Sequence, residues 1–392
     1  MNKTLFTAVF IALSTIPTAS AIEIYKDSKN DASIGGYAGV RLLTTDNTTE
    51  VVNGSSRINF NFQHTLTDGW SAYSTFEWGV SPFGDTTLVF NNQSEFEAKN
   101  DDLFNSRLAY IGLSHAQYGS ITFGKQWGAW YDVVVDTDNA YVWGGEASGV
   151  YTFGSNGAIN GVGMADKSIL YRNSFGQFSF ALQTQLQQND IEIAANDQPG
   201  AVQGTLNYDD SYGVSFTYAF TNMYKMFIGG NIGEFKGSSL DNSRTSETDF
   251  IYGIGATWGD LSKQGWFASA NLNINEWHQT DNNGFIIPEA EGGEIFVAYN
   301  FKNGFRPYAA YNYLNATKDY EFSGIDSDGN SAVFRTTEYK DQSILVGLLY
   351  QWDSVILMYL EAQFDMSDYK STLPGSATSG DNSAALGIRY TF

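Results

Sequence analysis

The chain has 392 residues, a formal net charge of −22, 40 glycines, 6 prolines and no cysteine. The missing cysteine excludes disulfide frameworks, cysteine metal sites and thiol catalysis, and the acidity argues against nucleic-acid binding. Beyond the N-terminus no apolar run is long enough for a spanning helix, whereas an all-β barrel can use this length as one unit.

Residues 1–21 read as a signal peptide. Lys3 supplies the positive start, Leu5 to Ile16 the apolar core, and Ala19-Ser20-Ala21 the small-residue cleavage site. The mature chain is expected to begin at Ile22 and to form one domain over residues 22–392.

What recurs from there is about ten residues of alternating polarity followed by a turn, the signature of transmembrane β-strands. Ile58, Phe60 and Phe62 alternate with Arg57, Asn59, Asn61 and Gln63. Phe178, Phe180 and Leu182 alternate with Gln177, Ser179 and Gln183, and Ile356, Met358, Leu360 and Ala362 with Tyr359, Glu361 and Gln363. Short connections near residues 67–69, 115–119, 174–176, 221–225, 259–265, 302–304 and 352–354 alternate with long polar ones near 45–54, 81–102, 130–166, 188–210, 236–247, 280–290, 318–337 and 367–382. This predicts a 16-stranded antiparallel transmembrane β-barrel with short periplasmic turns and longer outer loops. Tyr, Trp and Phe beside the short turns suit a periplasmic aromatic girdle. Leu103 to His115 carries apolar residues on both faces, as a strand at a subunit interface would. The terminal strand places Ala384, Leu386, Ile388, Tyr390 and Phe392 on one face.

The connection 130–166 is the most unusual stretch, long and rich in glycine, aromatics and acids; such loops are usually functional. Its entry, Phe123-Gly124-Lys125-Gln126-Trp127-Gly128, and its exit, Tyr171-Arg172-Asn173-Ser174, resemble the strands flanking the third loop of Gram-negative general porins, the trimeric 16-stranded family. The mature start Ile22-Glu23-Ile24-Tyr25, the run Leu66-Thr67-Asp68-Gly69-Trp70, the strand Ser106-Arg107-Leu108-Ala109-Tyr110 and the C-terminal Phe392 are similar to that family in the same order. The resemblance implies a homotrimer in the outer membrane, among lipid and lipopolysaccharide, assembled by the barrel machinery through Phe392. It also implies that the third loop folds inward, its acids facing a wall of arginines. By position the wall is Arg57, Arg107 and Arg172, with Arg41 as an extension. Asp132, Asp136, Asp138 and Glu146 are the loop acids, and Trp143-Gly144-Gly145-Glu146 resembles the loop tip. Val142 stands where enterobacterial members carry a second pore-facing acid. The second long loop resembles the family's latch onto a neighbouring subunit, where Glu95 would pair with Lys125.

Independently of that resemblance, Arg57 and Arg172 lie opposite apolar stripes and should face the lumen, because an arginine on the lipid side costs about 2–4 kcal/mol at the bilayer midplane. The expected function is passive diffusion of small hydrophilic solutes through a water-filled channel. The alternative is a sugar-preferring, chitoporin-like channel, since Trp127, Trp130, Tyr131, Tyr141, Trp143, Tyr151 and Phe153 crowd the loop. A hydrolase would need His64, His115 or His278 beside a nucleophile, and no strand places a serine there. No cofactor is expected, although the acidic outer loops could hold Ca2+ or Mg2+.

Overall fold

The computed structural model describes residues 21–46, 48–82, 86–90, 96–100, 103–186, 188–194, 202–238, 244–283, 285–325 and 331–392. Sixteen antiparallel strands form a closed barrel. They are β1 (Asn30–Thr45), β2 (Thr49–Asn53 with Arg57–Thr65), β3 (Trp70–Val80), β4 (Phe104–His115), β5 (Gly119–Trp127), β6 (Met164–Phe175), β7 (Phe178–Gln185 with Gln188–Ala194) and β8 (Val202–Tyr208 with Ser211–Thr221). There follow β9 (Tyr224–Ser238), β10 (Arg244–Gly259), β11 (Gly265–Glu276), β12 (Glu289–Asn300), β13 (Phe305–Ala316 with Tyr320–Ile325), β14 (Ser331–Gln351), β15 (Ile356–Asp365 with Asp368–Ser371) and β16 (Ser383–Thr391). Each pairs with the next, and β16 returns to β1 through Tyr37↔Thr391 to Thr45↔Ser383. At the seam Gly36 and Phe392 exchange both backbone hydrogen bonds, at 3.1 and 3.0 Å. The short N-terminal strand Ile22–Lys26 pairs with Asp31–Ile34 of β1 and so extends the line of β16. A separate two-stranded hairpin, Thr86–Phe90 with Phe96–Asn100, stands in the second long connection.

The polarity is the reverse of a soluble protein. Leu182, Phe216, Ile228, Ile254, Leu272, Ile295, Val346 and Leu360 are exposed on the outer face. Their strand neighbours Gln183, Ser215, Asn271, Glu294 and Glu361 are buried inside. Only a hydrocarbon surround makes the first set favourable, since apolar surface is costly in water and costless in lipid. Exposed Tyr118, Tyr218, Phe220, Trp258, Trp266, Phe305, Trp352 and Tyr390 sit near the short turns, where amphipathic rings anchor at the interface.

Two local features depart from the sequence pattern. The long connections are largely β-structure at their bases: β14 runs for 21 residues, about twice what a tilted strand needs to cross the slab. Adjacent strands still offer unpaired backbone groups above the membrane, so pairing continues there. The mixed faces of β4 come from a β-bulge at Arg107: Glu77 pairs with Leu108 and Trp78 with Ser106, leaving Arg107 as the extra residue. A bulge shifts the side-chain alternation by one. Outward Ile111 and Leu113 are thereby compatible with an inward Arg107.

Glycines cut sockets into the lumenal wall. A Cβ on Gly387 would lie 2.2 Å from the Tyr359 ring, and one on Gly347 2.0 Å from Tyr308. Gly387→Val is expected to displace Tyr359 and lower barrel stability by about 1–3 kcal/mol as an overpacking change. Ile254→Arg, on the lipid face, is expected to cost about 2–4 kcal/mol. Urea unfolding of the barrel reconstituted in bilayers reads both, and unchanged midpoints would contradict the assignment of faces.

Candidate functional site

The third long connection lies against the inner wall. Its entry holds a short helix, Tyr131–Val134, which fits because wall glycines leave no side chains beneath it. Cβ atoms on Gly229, Gly253 and Gly255 would fall 2.8, 3.0 and 2.4 Å from Val133, Trp130 and the Val133 carbonyl. Trp130, Val133, Val134, Val150 and Val162 pack on the inward-facing Phe227 and Ile251. Trp130 is fully buried and donates from Nε1 to the Ser148 carbonyl at 3.0 Å.

Two wall carboxylates do most of the fastening. Glu361 on β15 accepts the backbone N–H groups of Tyr141 at 2.7 Å, Trp143 at 3.0 Å and Val142 at 3.2 Å, and the Tyr308 hydroxyl. Glu294 on β12 accepts the Thr137 hydroxyl at 2.7 Å, the Ala147 N–H at 3.0 Å and the Asn271 amide at 3.2 Å. A carboxylate saturated by several donors tolerates burial that an isolated charge would not. Higher up, buried His278 bonds Asp249 through Nδ1 at 2.5 Å and the loop's Gly149 carbonyl through Nε2 at 2.8 Å. Asn160 of the loop also donates to Asp249, at 3.0 Å. His278 is thus a loop fastener beside Asp249. Its sequence neighbour Asp281 is engaged elsewhere, by the Tyr320 hydroxyl at 2.8 Å.

The arginines are matched differently from the expectation of a wall facing loop acids. Arg172 does meet a loop acid: Nη2 and Nε donate to the two Asp132 oxygens at 2.9 and 3.2 Å. Arg57 and Arg107 instead share a carboxylate of the wall itself, Glu77, at 3.6 and 2.8 Å. Arg41 lies 3.4 Å from the Ser55 hydroxyl. Asp138 is half-buried and accepts the hydroxyls of Tyr151 at 2.6 Å and Tyr131 at 3.4 Å. Burial raises its pKa, opposed by those two hydrogen bonds and by the Arg57 and Arg107 charges. Asp136 accepts the Thr257 hydroxyl at 2.7 Å.

Glu146 is exposed to the lumen and accepts from Gln363 at 3.0 Å. Burial inside the barrel first, and then the Asp341, Glu294 and Glu361 carboxylates, push its pKa up to about 8, with lumen water at the exposed side chain screening part of the effect. Trp143 is held through its backbone and packs beside Phe267, Phe296 and Tyr308. Lys125 pairs within the chain with Asp166 at 2.9 Å, and Glu95 lies outside the described residues. Among the described residues no group of three or more acids or histidines could hold a metal ion.

Glu77, Glu294, Glu361, Asp249 and the socket glycines escaped the sequence reading. The usable signal was parity: Glu361 stands in the polar stripe with Tyr359 and Gln363, and Glu77 opposite outward Phe76.

A closed 16-stranded barrel with lipid outside and a polar interior is an outer-membrane channel. The chain belongs to the Gram-negative porin family, whose model matches residues 7–392. Outer membrane protein F of Serratia marcescens is 24% identical over 405 residues, with 100% of both chains covered. Among solved structures, Salmonella typhi OmpF in complex with daunomycin superposes with a TM-score of 0.65 at 19% identity, covering 95% of this chain and 100% of that one. Vibrio cholerae OmpT in its trimer form gives 0.61 at 16% identity, covering 93% and 100%. At such identities these structures share the fold. The protein is thus an outer-membrane porin.

Two consequences follow from the fastening. Glu361→Ala strips the acceptor from three tip N–H groups, each costing about 1–3 kcal/mol when buried and unpaired. Single-channel traces are expected to become noisier, and Glu361→Gln less so; equally quiet channels would refute the role. Glu146 is neutral below its raised pKa and charged above it, so cation preference is expected to rise between pH 6 and 9. Reversal potentials in a KCl gradient should show this rise, and Glu146→Gln should flatten it. An unmodified channel with a flat profile would place the ionisation near the ordinary 4.5.

Proposed function

We propose that the channel passes small hydrophilic solutes and ions by passive diffusion, and that residues 130–166 narrow it into a charged constriction. The observation that carries this reading is the Glu361 carboxylate, which receives three consecutive backbone N–H groups of the loop tip. A loop free in the external medium has no reason to spend its backbone donors on a lumenal wall residue. Inward cations come from β1, β2, β4, β6 and β16 (Arg41, Arg57, Arg107, Arg172 and Arg389), and acids from the loop, β12, β14 and β15 (Glu146, Glu294, Asp341 and Glu361). Such a transverse field orients dipolar solutes and disfavours apolar ones, and rings of charge tune selectivity.

The loop aromatics favour this reading over a sugar slide. Trp127 stacks on Tyr131 with ring centroids 3.9 Å apart, Tyr141 stacks on Tyr359 at 5.0 Å, and Trp130 is fully buried. Faces already covered are not offered to a sugar ring. Homotrimeric assembly, with the trimer form of the Vibrio cholerae neighbour as its support, belongs to the same proposal. So do cleavage after Ala21, barrel assembly through Phe392 and contact with lipopolysaccharide.

The chain has no cysteine, so a single introduced thiol reports one place. Glu146→Cys treated with a bulky thiol reagent is expected to lose most of its single-channel conductance. Undiminished current after complete labelling would overturn the constriction. Maltooligosaccharides should produce no concentration-dependent current blocks, and blocks would restore the sugar reading.

A further inference from the structure

Arg389 belongs to none of the charge pairs described above. It points inward from β16 between outward Ile388 and Tyr390. Its register partner on β1 is Gly39, which has no side chain and leaves the guanidinium room over its diagonal neighbour Tyr37. The guanidinium carbon lies 3.9 Å from the Tyr37 ring centroid and 4.9 Å from that of Tyr141. Arg57 approaches the same Tyr37 ring at 4.8 Å. Tyr141 in turn stacks on Tyr359. Five side chains from β2, β1, β16, the loop tip and β15 therefore form one continuous cation–aromatic stack across the closure seam. Tyr37 is 4% and Tyr359 2% exposed, so the two wall rings of the stack are dry, and desolvation strengthens such contacts.

The charge side is equally distinct. Arg57, Arg107 and Arg172 are met by carboxylates. Among the described residues no ion pair engages Arg389, and its buried Nε has no hydrogen-bond partner. The nearest wall acid on β15, Glu361, is committed to the tip backbone and Tyr308. An unneutralised guanidinium at the constriction is felt by every passing ion.

We propose that Arg389 both positions the loop tip, through its stacking on Tyr141, and sets ion preference, as an uncompensated cation of the constriction alongside Arg41, which among the described residues meets only the Ser55 hydroxyl. The assignment rests on residues 130–166 narrowing the pore.

The purified full-length channel in planar bilayers tests it with four variants. Arg389→Gln is expected to shift the reversal potential toward cations and to raise the rate of current fluctuations by roughly 2- to 30-fold, the range of a partly desolvated cation–π contact. Arg389→Lys keeps the charge but loses the planar face; its selectivity should match the parent while its fluctuations rise. Tyr141→Leu should be noisy with near-parental selectivity, and Tyr141→Phe should match the parent in both. Heat-modifiable migration on gels verifies that each variant is folded, and Arg389→Lys serves should Arg389→Gln fail to fold. Parental behaviour of Arg389→Gln, or a quiet Tyr141→Leu channel, overturns the assignment. The thiol block at Glu146→Cys separates the two readings. An unblocked channel overturns the constriction and this assignment with it. A blocked channel with a silent Arg389→Gln overturns this assignment alone.

Discussion

In hydrocarbon an unpaired backbone N–H or C=O has no water to turn to, and each costs several kcal/mol. A sheet can cross a membrane only if its two edges meet. The pairing of β1 with β16, completed by the reciprocal bonds of Gly36 and Phe392, therefore governs everything else in this molecule. Closure turns one face of every strand to lipid and the other to an interior that must be filled or wetted. It also brings residues 350 positions apart in the sequence, such as Gly39 and Arg389, into direct register.

The interior is filled on one side by the third long loop, and its attachment obeys the same accounting of polar groups. The loop buries backbone N–H groups, so the wall supplies Glu361 and Glu294 to accept them. It buries a tryptophan and several valines, so the wall supplies Phe227, Ile251 and a patch of glycine. Carboxylates engaged in this way are structural. On the proposed reading of the constriction, the charges left to act on a solute are the remainder: exposed Glu146 and the arginines that no acid neutralises. The functional electrostatics are thus what the anchoring of the loop leaves unspent.

Much of the fold was legible because a transmembrane strand has a strict two-residue period with no exceptions permitted on the lipid side. Ile58, Phe60 and Phe62, or Leu360 and Phe364, betray their faces at once. Where the period broke, reading failed for a definable reason. The bulge at Arg107 shifts the alternation within β4, and a linear pattern carries no mark of the extra residue. The bases of the long connections looked like irregular loop because polar residues on both faces erase the signal where there is no lipid.

The candidate site was less legible. Arg57 and Arg172 were assigned to the lumen by parity, and Asp132 does meet Arg172. The partner of Arg57 and Arg107, Glu77, lies on the strand between them, and nothing in a linear pattern announces which acid a guanidinium will choose. Sequence alone determined strand number and polarity of faces, because these depend on local period and on length; the inward turn of residues 130–166 was an expectation from the resemblance to general porins. Tertiary structure alone decided which carboxylates are consumed in holding that loop and which charges stay free, because those choices depend on distances across the barrel. The stack of Arg57, Tyr37, Arg389, Tyr141 and Tyr359 exists only where the first strand, the last strands and the loop tip converge.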